Sequence, residues 1–275
     1  MQLASRFASY SPALRSTRPL LDDEIARVAP SIFAAQAHES RSQRYTYIPT
    51  IDVLRGLRRE GFEPFMVVQT RVRCEGKRDH TKHMLRLRHA NQIEGREANA
   101  IILLNSHDGT SSYQMLAGMF RFVCQNGMVC GDTVREIRVP HKGDVVSQVI
   151  EGAFTVLDSF ETAQAQRDNM QRVSLSGGEQ TAFARAALAL KYDEQAAPAP
   201  VSDAQLLTPR RFEDRAPDLW TTFNRVQENL TQGGLRGRNR AGRTTRTRPV
   251  SGIDQSVKLN RALWVLADEM RKLHG

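Results

Sequence analysis

Phe65-Met66-Val67-Val68-Gln69-Thr70-Arg71-Val72-Arg73 and Thr81-Lys82-His83-Met84-Leu85-Arg86-Leu87-Arg88-His89 decide the fold class. Both segments alternate in polarity, and the turn-like Glu75-Gly76-Lys77-Arg78-Asp79 lies between them. That spacing predicts a β-hairpin running from Met66 to His89. Successive side chains of a strand point to opposite faces. Gln69, Arg71 and Arg73 therefore share one face of the first strand, with Val68 and Val72 on the other. Lys82, Arg86 and Arg88 share a face of the second, with Leu85 and Leu87 opposite. The hairpin is expected to present one apolar face and one basic face.

Outward from the hairpin, Ile51 to Glu60 follows Pro49 and stops at Gly61, as a short helix does. Upstream of it, Pro12, Pro19 and Pro30 break a weakly patterned stretch. Ala100 to Asn105 reads as a third strand ended by His107-Asp108-Gly109. Met115, Met119, Phe122 and Val123 follow helical spacing, with Asn126-Gly127 as the stop. Helices are expected over 145–170, with Val146, Ile150, Leu157 and Phe160 apolar, and over 178–191, with Phe183, Ala187 and Leu190 inward. Leu219, Phe223, Val226 and Leu230 mark another helix, opened by Pro217 and closed by Gly233-Gly234. Leu259, Leu263, Leu266, Met270 and Leu273 mark the last. The expected class is α+β: an antiparallel hairpin sheet packed with helices, then a helical C-terminal part. The expected division is a core domain over 1–192, an Ala/Pro-containing linker over 193–209, and a helical hairpin over 210–275.

The net charge of +9 is unevenly placed. Lys and Arg outnumber Asp and Glu 13 to 6 between Arg41 and Arg96. Leu235 to Arg248 holds six arginines and no acid: Arg236, Arg238, Arg240, Arg243, Arg246 and Arg248. These lie in a connection, 233–252, that has almost no apolar residues and reads as a flexible loop. Arginine suits planar recognition of phosphate, so nucleic acid is the expected partner. Tyr45, Tyr47, Phe62 and Phe65 flank the first basic stretch and are candidates for base stacking as well as for core. No apolar run approaches a membrane span. The N-terminus carries no secretory h-region, and the three cysteines, Cys74, Cys124 and Cys130, form no framework. A cytoplasmic protein with reduced thiols and no zinc site or cofactor is expected.

Two segments invite chemistry. Leu175-Ser176-Gly177-Gly178-Glu179-Gln180 looks like the signature loop of ABC ATPases, but the chain has no phosphate-cradling G-x-x-x-x-G-K-[ST]. Ser176 and Glu179 instead fit a capping box that opens a helix. His107 and Asp108, with Ser111 close by, offer an acid, a base or a phosphate-holding turn, with His83, His89 and His141 as further imidazoles. The plainer reading is a polar turn after a strand.

Longer motifs occur in order along the chain: Ser31-Ile32-Phe33, Tyr47-Ile48-Pro49-Thr50, Gly61-Phe62, Lys82 to Arg88, Asn105-Ser106-His107-Asp108-Gly109-Thr110-Ser111, Cys124-Gln125-Asn126-Gly127, Asn224 to Asn229 and Leu259 to Trp264. With these the chain resembles the plasmid- and prophage-encoded family called the domain of unknown function DUF932. The resemblance implies a mobile-element setting in a bacterial cytoplasm and assigns no catalytic residue. The expected function is nucleic-acid binding, single-stranded DNA above all, through Arg71, Arg73, Lys82, Arg86, Arg88 and the arginines of 236–248. A sheet followed by helices is also broadly like single-strand annealing proteins of the Rad52 type, which extends the expectation to annealing by a homo-oligomer. The alternatives are a nuclease or other hydrolase built around His107, Asp108 and His83, and a factor that blunts a host defence by binding an acidic protein.

Overall fold

A computed structural model describes residues 12–41, 47–71, 75–89, 97–121, 126–129, 145–193 and 198–275. These residues fall into two compact units, one ending at Phe160 and the other beginning at Glu161.

The first unit is built on an antiparallel sheet. Its strands are β1 (Ala13–Arg15), β2 (Phe62–Gln69), β3 (His83–His89), β4 (Glu97–Asn105), β5 (Gln114–Arg121) and β6 (Asn126–Val129), and they pair in sequence order. Helices α1 (Asp22–Val28) and α2 (Thr50–Arg59) lie between β1 and β2. They pack on one face of the sheet together with the first half of α3 (Val145–Arg172). The core there joins Ile25, Leu54 and Leu57 to Val67, Leu85, Leu87, Ile101, Leu103 and Met115, and to Val149, Ala153 and Phe160. At Gly61, φ is +84°, which lets α2 stop at Arg59 and β2 begin at Phe62.

The α+β class and the hairpin hold, with three corrections. First, Met115 and Met119 lie on strand β5, not on a helix. Residues four apart share a face in either structure, so this pair does not separate the two periods. Pairing with β4 separates them, placing Leu103 opposite Met115 and Asn99 opposite Met119. Phe122 and Val123 lie outside the described residues. Second, Gln69 does not share a face with Arg86 and Arg88. Gln69 pairs with His83, on the side of Leu85 and Leu87, while Met66 pairs with Arg86. The cause is register: a strand offset by one residue exchanges its faces, and a bulge between Pro64 and Met66 shifts the pairing within β2. Third, the face that carries Arg86 and Arg88 is not open to solvent. Met84, Ile102, Leu104 and Leu116 share that face and are buried. No helix among the described residues is long and apolar enough to cross a membrane.

The second unit holds α4 (Gly177–Lys191), α5 (Asp203–Leu206), α6 (Leu219–Gln232) and α7 (Ile253–Leu273), with a two-stranded ribbon, β7 (Arg236–Arg238) and β8 (Thr244–Arg246). Ser176 and Glu179 form the expected capping box of α4. Asp218, the residue after Pro217, caps α6 by accepting from Thr221 N. Phe183, Trp220, Phe223 and Trp264 meet ring to ring where α4, α6 and α7 converge. Every residue of α6 from Leu219 to Leu230 is buried, so its polar groups need partners. Gln227 donates to Asn260 Oδ1 at 2.6 Å, Arg225 to Gln180 Oε1 at 3.0 Å, and Asn229 to the carbonyls of Leu206 and Thr208. Glu228 pairs with Arg211. The described part of the 193–209 stretch includes α5 and belongs to this unit.

Candidate nucleic-acid interface

The arginine-rich segment is a structured hairpin. Gly233 ends α6 at φ +65°, and a Cβ there would lie 2.7 Å from Thr247 O. From that point the chain is clamped at its root. Gly234 N donates to Thr247 O at 2.9 Å, Thr247 N to Leu235 O at 2.9 Å, and Val250 N to Thr231 O at 2.8 Å. Lys191 Nζ reaches Leu230 O at 2.7 Å and Arg248 O at 3.0 Å, and burial pushes this ammonium down to about 8. Arg210 donates to Gly233 O, Gln232 Oε1 and Asn229 Oδ1.

The ribbon itself pairs Arg236 with Arg246, Gly237 with Thr245 and Arg238 with Thr244. Asn239 organises the tip: its Oδ1 accepts from Ala241 N and Arg243 N, and its own N donates to Arg243 O. Gly242 takes the positive φ, +72°, that the reversal needs. Gly237 turns inward. A Cβ there would sit 1.8 Å from Pro200 O, and Arg238 N donates to that oxygen at 2.9 Å. The opposite face therefore carries Arg236, Arg238 and Arg246. These three, with Arg240, Arg243 and Arg248, are all exposed. Like charges directly across a ribbon repel, and no acid lies within 233–252 to offset the Arg236–Arg246 pair. The expected flexible loop is corrected here: a backbone ladder and an asparagine-centred turn order a segment that lacks apolar residues.

The N-terminal basic residues are placed differently. Arg86 is 5% and Arg88 3% exposed, and the Arg88 guanidinium lies 4.4 Å from the centre of the Phe65 ring. Burial pushes Arg88 down to about 10. Lys82 is half-buried and Arg71 exposed. Arg73 lies outside the described residues. Phe62 and Phe65 are core, Tyr47 rests on His107 with ring centres 4.9 Å apart, and Tyr45 lies outside the described residues.

His107 and His83 do come together, as a buried network. Their ring centres are 5.2 Å apart and both are 0% exposed. His83 Nδ1 meets Ser31 Oγ at 2.9 Å and its Nε2 meets Thr50 Oγ1 at 2.9 Å. Thr50 Oγ1 also lies 3.4 Å from His107 Nε2 and accepts from Asn105 Nδ2 at 2.9 Å. Gln69 Oε1 accepts from Ser31 Oγ at 2.8 Å. Burial, and then the neighbouring His107, push His83 down to about 3. Burial, and then His80, push His107 down to about 4. Both imidazoles are thus neutral at neutral pH and buried. Asp108 Oδ1 accepts from Thr110 N at 3.0 Å and from Thr110 Oγ1 at 2.6 Å. Ser111 N donates to Ser106 Oγ at 2.9 Å. The turn's own side chains thus accept from these donors. Among the described residues no cluster of three or more His, Cys, Asp and Glu side chains could hold a metal ion. Cys74, Cys124 and Cys130 lie outside those residues.

Sequence reasoning missed Arg210 and Lys191 as the groups that brace the hairpin's root. The signal was present in Arg210-Arg211, two adjacent arginines that open the stretch 210–275 read as a helical hairpin. The hairpin was legible too, since Arg236-Gly237-Arg238 alternates and Asn239 to Gly242 is a turn composition.

UPF0380 protein YfjQ of Escherichia coli (strain K12) is 58% identical over 269 residues, covering 98% of this chain and 97% of that protein. UPF0380 protein YafZ of the same strain is also 58% identical over 269 residues, with the same coverage. No solved structure matches the chain at a significant level. The family model described as "Domain of unknown function (DUF932)" matches residues 37–264, from the segment before α2 to the buried Trp264 of α7, and the chain belongs to that family.

Proposed function

We propose that the protein binds nucleic acid, single-stranded DNA above all, along the exposed face of the β7–β8 hairpin. The observation that carries this reading is the pairing of Arg236 with Arg246 on a braced ribbon whose six arginines are exposed and whose segment holds no acid. Two guanidiniums held opposite each other repel unless an anion lies between them. A phosphate oxygen accepts from such planar donors in bidentate fashion. A ribbon already ordered by backbone hydrogen bonds loses less freedom on binding than a flexible loop. Plasmid or prophage strands exposed during transfer or replication are the matching source of ligand, and several chains along one strand would promote annealing of its complement.

Titrating a labelled oligonucleotide against salt tests this. If all six arginines meet phosphates, log K falls against log salt with a slope of about −4 on a single strand. Replacing Arg236, Arg238 and Arg246 with alanine brings the slope to about −2 and weakens binding at every salt concentration. Equal affinity and equal slope in the wild type and the triple variant would overturn the reading.

A further inference from the structure

We propose that Phe212 is a base-stacking residue, and that the ligand of the arginine hairpin is a strand with unpaired bases. This inference rests on the hairpin reading above and names the form of nucleic acid it takes. Phe212 is 78% exposed, although an aromatic ring of this size ordinarily goes to the core. Its position is nevertheless rigid. Arg211, the residue before it, makes ion pairs with Glu228 and with Asp214, which are 2% and 1% exposed. Asp214 lies in the same 3₁₀ turn as Phe212, Phe212–Arg215. Folding thus holds the backbone on both sides of the ring and leaves the ring in water.

Two further contacts connect the ring to nucleic-acid chemistry. The Arg215 guanidinium lies 4.9 Å from the ring centre, over one face. With 78% of the residue exposed, the other face remains open to a flat π-system. A nucleobase stacks on such a face whatever its identity, and the nearby guanidinium adds a charge for its phosphate. Arg210 supplies the link to the hairpin. It donates to Gly233 O at 2.7 Å and to Gln232 Oε1 at 2.9 Å, at the point where α6 gives way to the segment that carries the six arginines. Phe212 therefore follows by two positions the arginine that holds the hairpin's root. A duplex keeps its bases stacked on one another, so the ring favours the unpaired strand.

The test compares a thymidine oligonucleotide with a duplex of equal length, using the wild type, Phe212→Ala, Phe212→Trp and the triple arginine variant. Phe212→Ala should weaken single-strand binding by about 5- to 150-fold, the range for losing one stacked base. It should leave the salt slope unchanged because no charge is removed, and it should leave duplex binding unchanged. Phe212→Trp should retain affinity and show fluorescence quenching on adding the strand. Wild-type single-strand affinity in Phe212→Ala overturns the inference. If the triple arginine variant loses binding in the same experiment, the hairpin reading survives and only the stacking fails. A change of molecular mass in Phe212→Ala without a change in strand affinity also overturns it, and assigns the ring to contact with a second copy.

Discussion

His83 and His107 lie 5.2 Å apart, ring centre to ring centre, in a buried network. Each imidazole is buried, His83 between two hydroxyls and His107 against one, so the neutral form is the one the fold accepts. The sign of the pH dependence follows. In the unfolded chain a histidine takes a proton near 6.5. In the folded chain these two resist it until about 3 and about 4. Their contribution to stability is therefore complete above about pH 6.5 and is lost as pH falls below that value. The denaturant midpoint should decline between pH 6.5 and 5, above the main carboxylate range. The limit is about 1.4 kcal/mol per pH unit for each group. A flat profile from pH 7 to 5 would contradict this account.

Among the elements, the β7–β8 hairpin depends on a residue with no side chain. Gly237 lets the ribbon lie against Pro200, and a methyl group there would occupy the position of the Pro200 carbonyl oxygen. Gly237→Ala should push β7 away, break the Arg238 N–Pro200 O bond and cost about 1–3 kcal/mol. Strand affinity should fall with it, because the arginines would no longer project from a braced ribbon. Hydrogen exchange at Arg238 N reads the first effect and oligonucleotide binding the second. Strand β5 teaches a related lesson. Met115 and Met119 fit both periods, and only the pairing of Leu103 with Met115 and Ile101 with Ala117 selects the strand. By contrast, the cap of α4 was fully legible, because Ser176 and Glu179 satisfy each other's backbone groups within one turn.

Across the whole molecule, the two units rest on different cores. One is a sheet covered on one face by α1, α2 and the first half of α3. The other gathers four aromatic rings among three helices. Trp264 is fully buried at the centre of the second, in edge-on contact with Trp220 and Phe223. Trp264→Ala should cost about 3–5 kcal/mol and lower the melting temperature of the helical unit, read by near-ultraviolet dichroism of the remaining Trp220. The motif Asn224 to Asn229 belongs to this core as well. Its polar side chains lie on a helix buried all round, and Gln227, Glu228 and Asn229 each find a fixed partner there. The sequence alone determined the α+β class, most helix ends and the concentration of arginine at 236–248. Those properties depend on patterns within a few residues: capping pairs, glycine stops, and the repeat of apolar positions. Only the tertiary structure decided which arginines meet solvent. Arg86 and Arg88 are buried because strand register and packing on both faces of the sheet set exposure, whereas the hairpin arginines stay outside because Gly237 and Thr245 turn the other face inward.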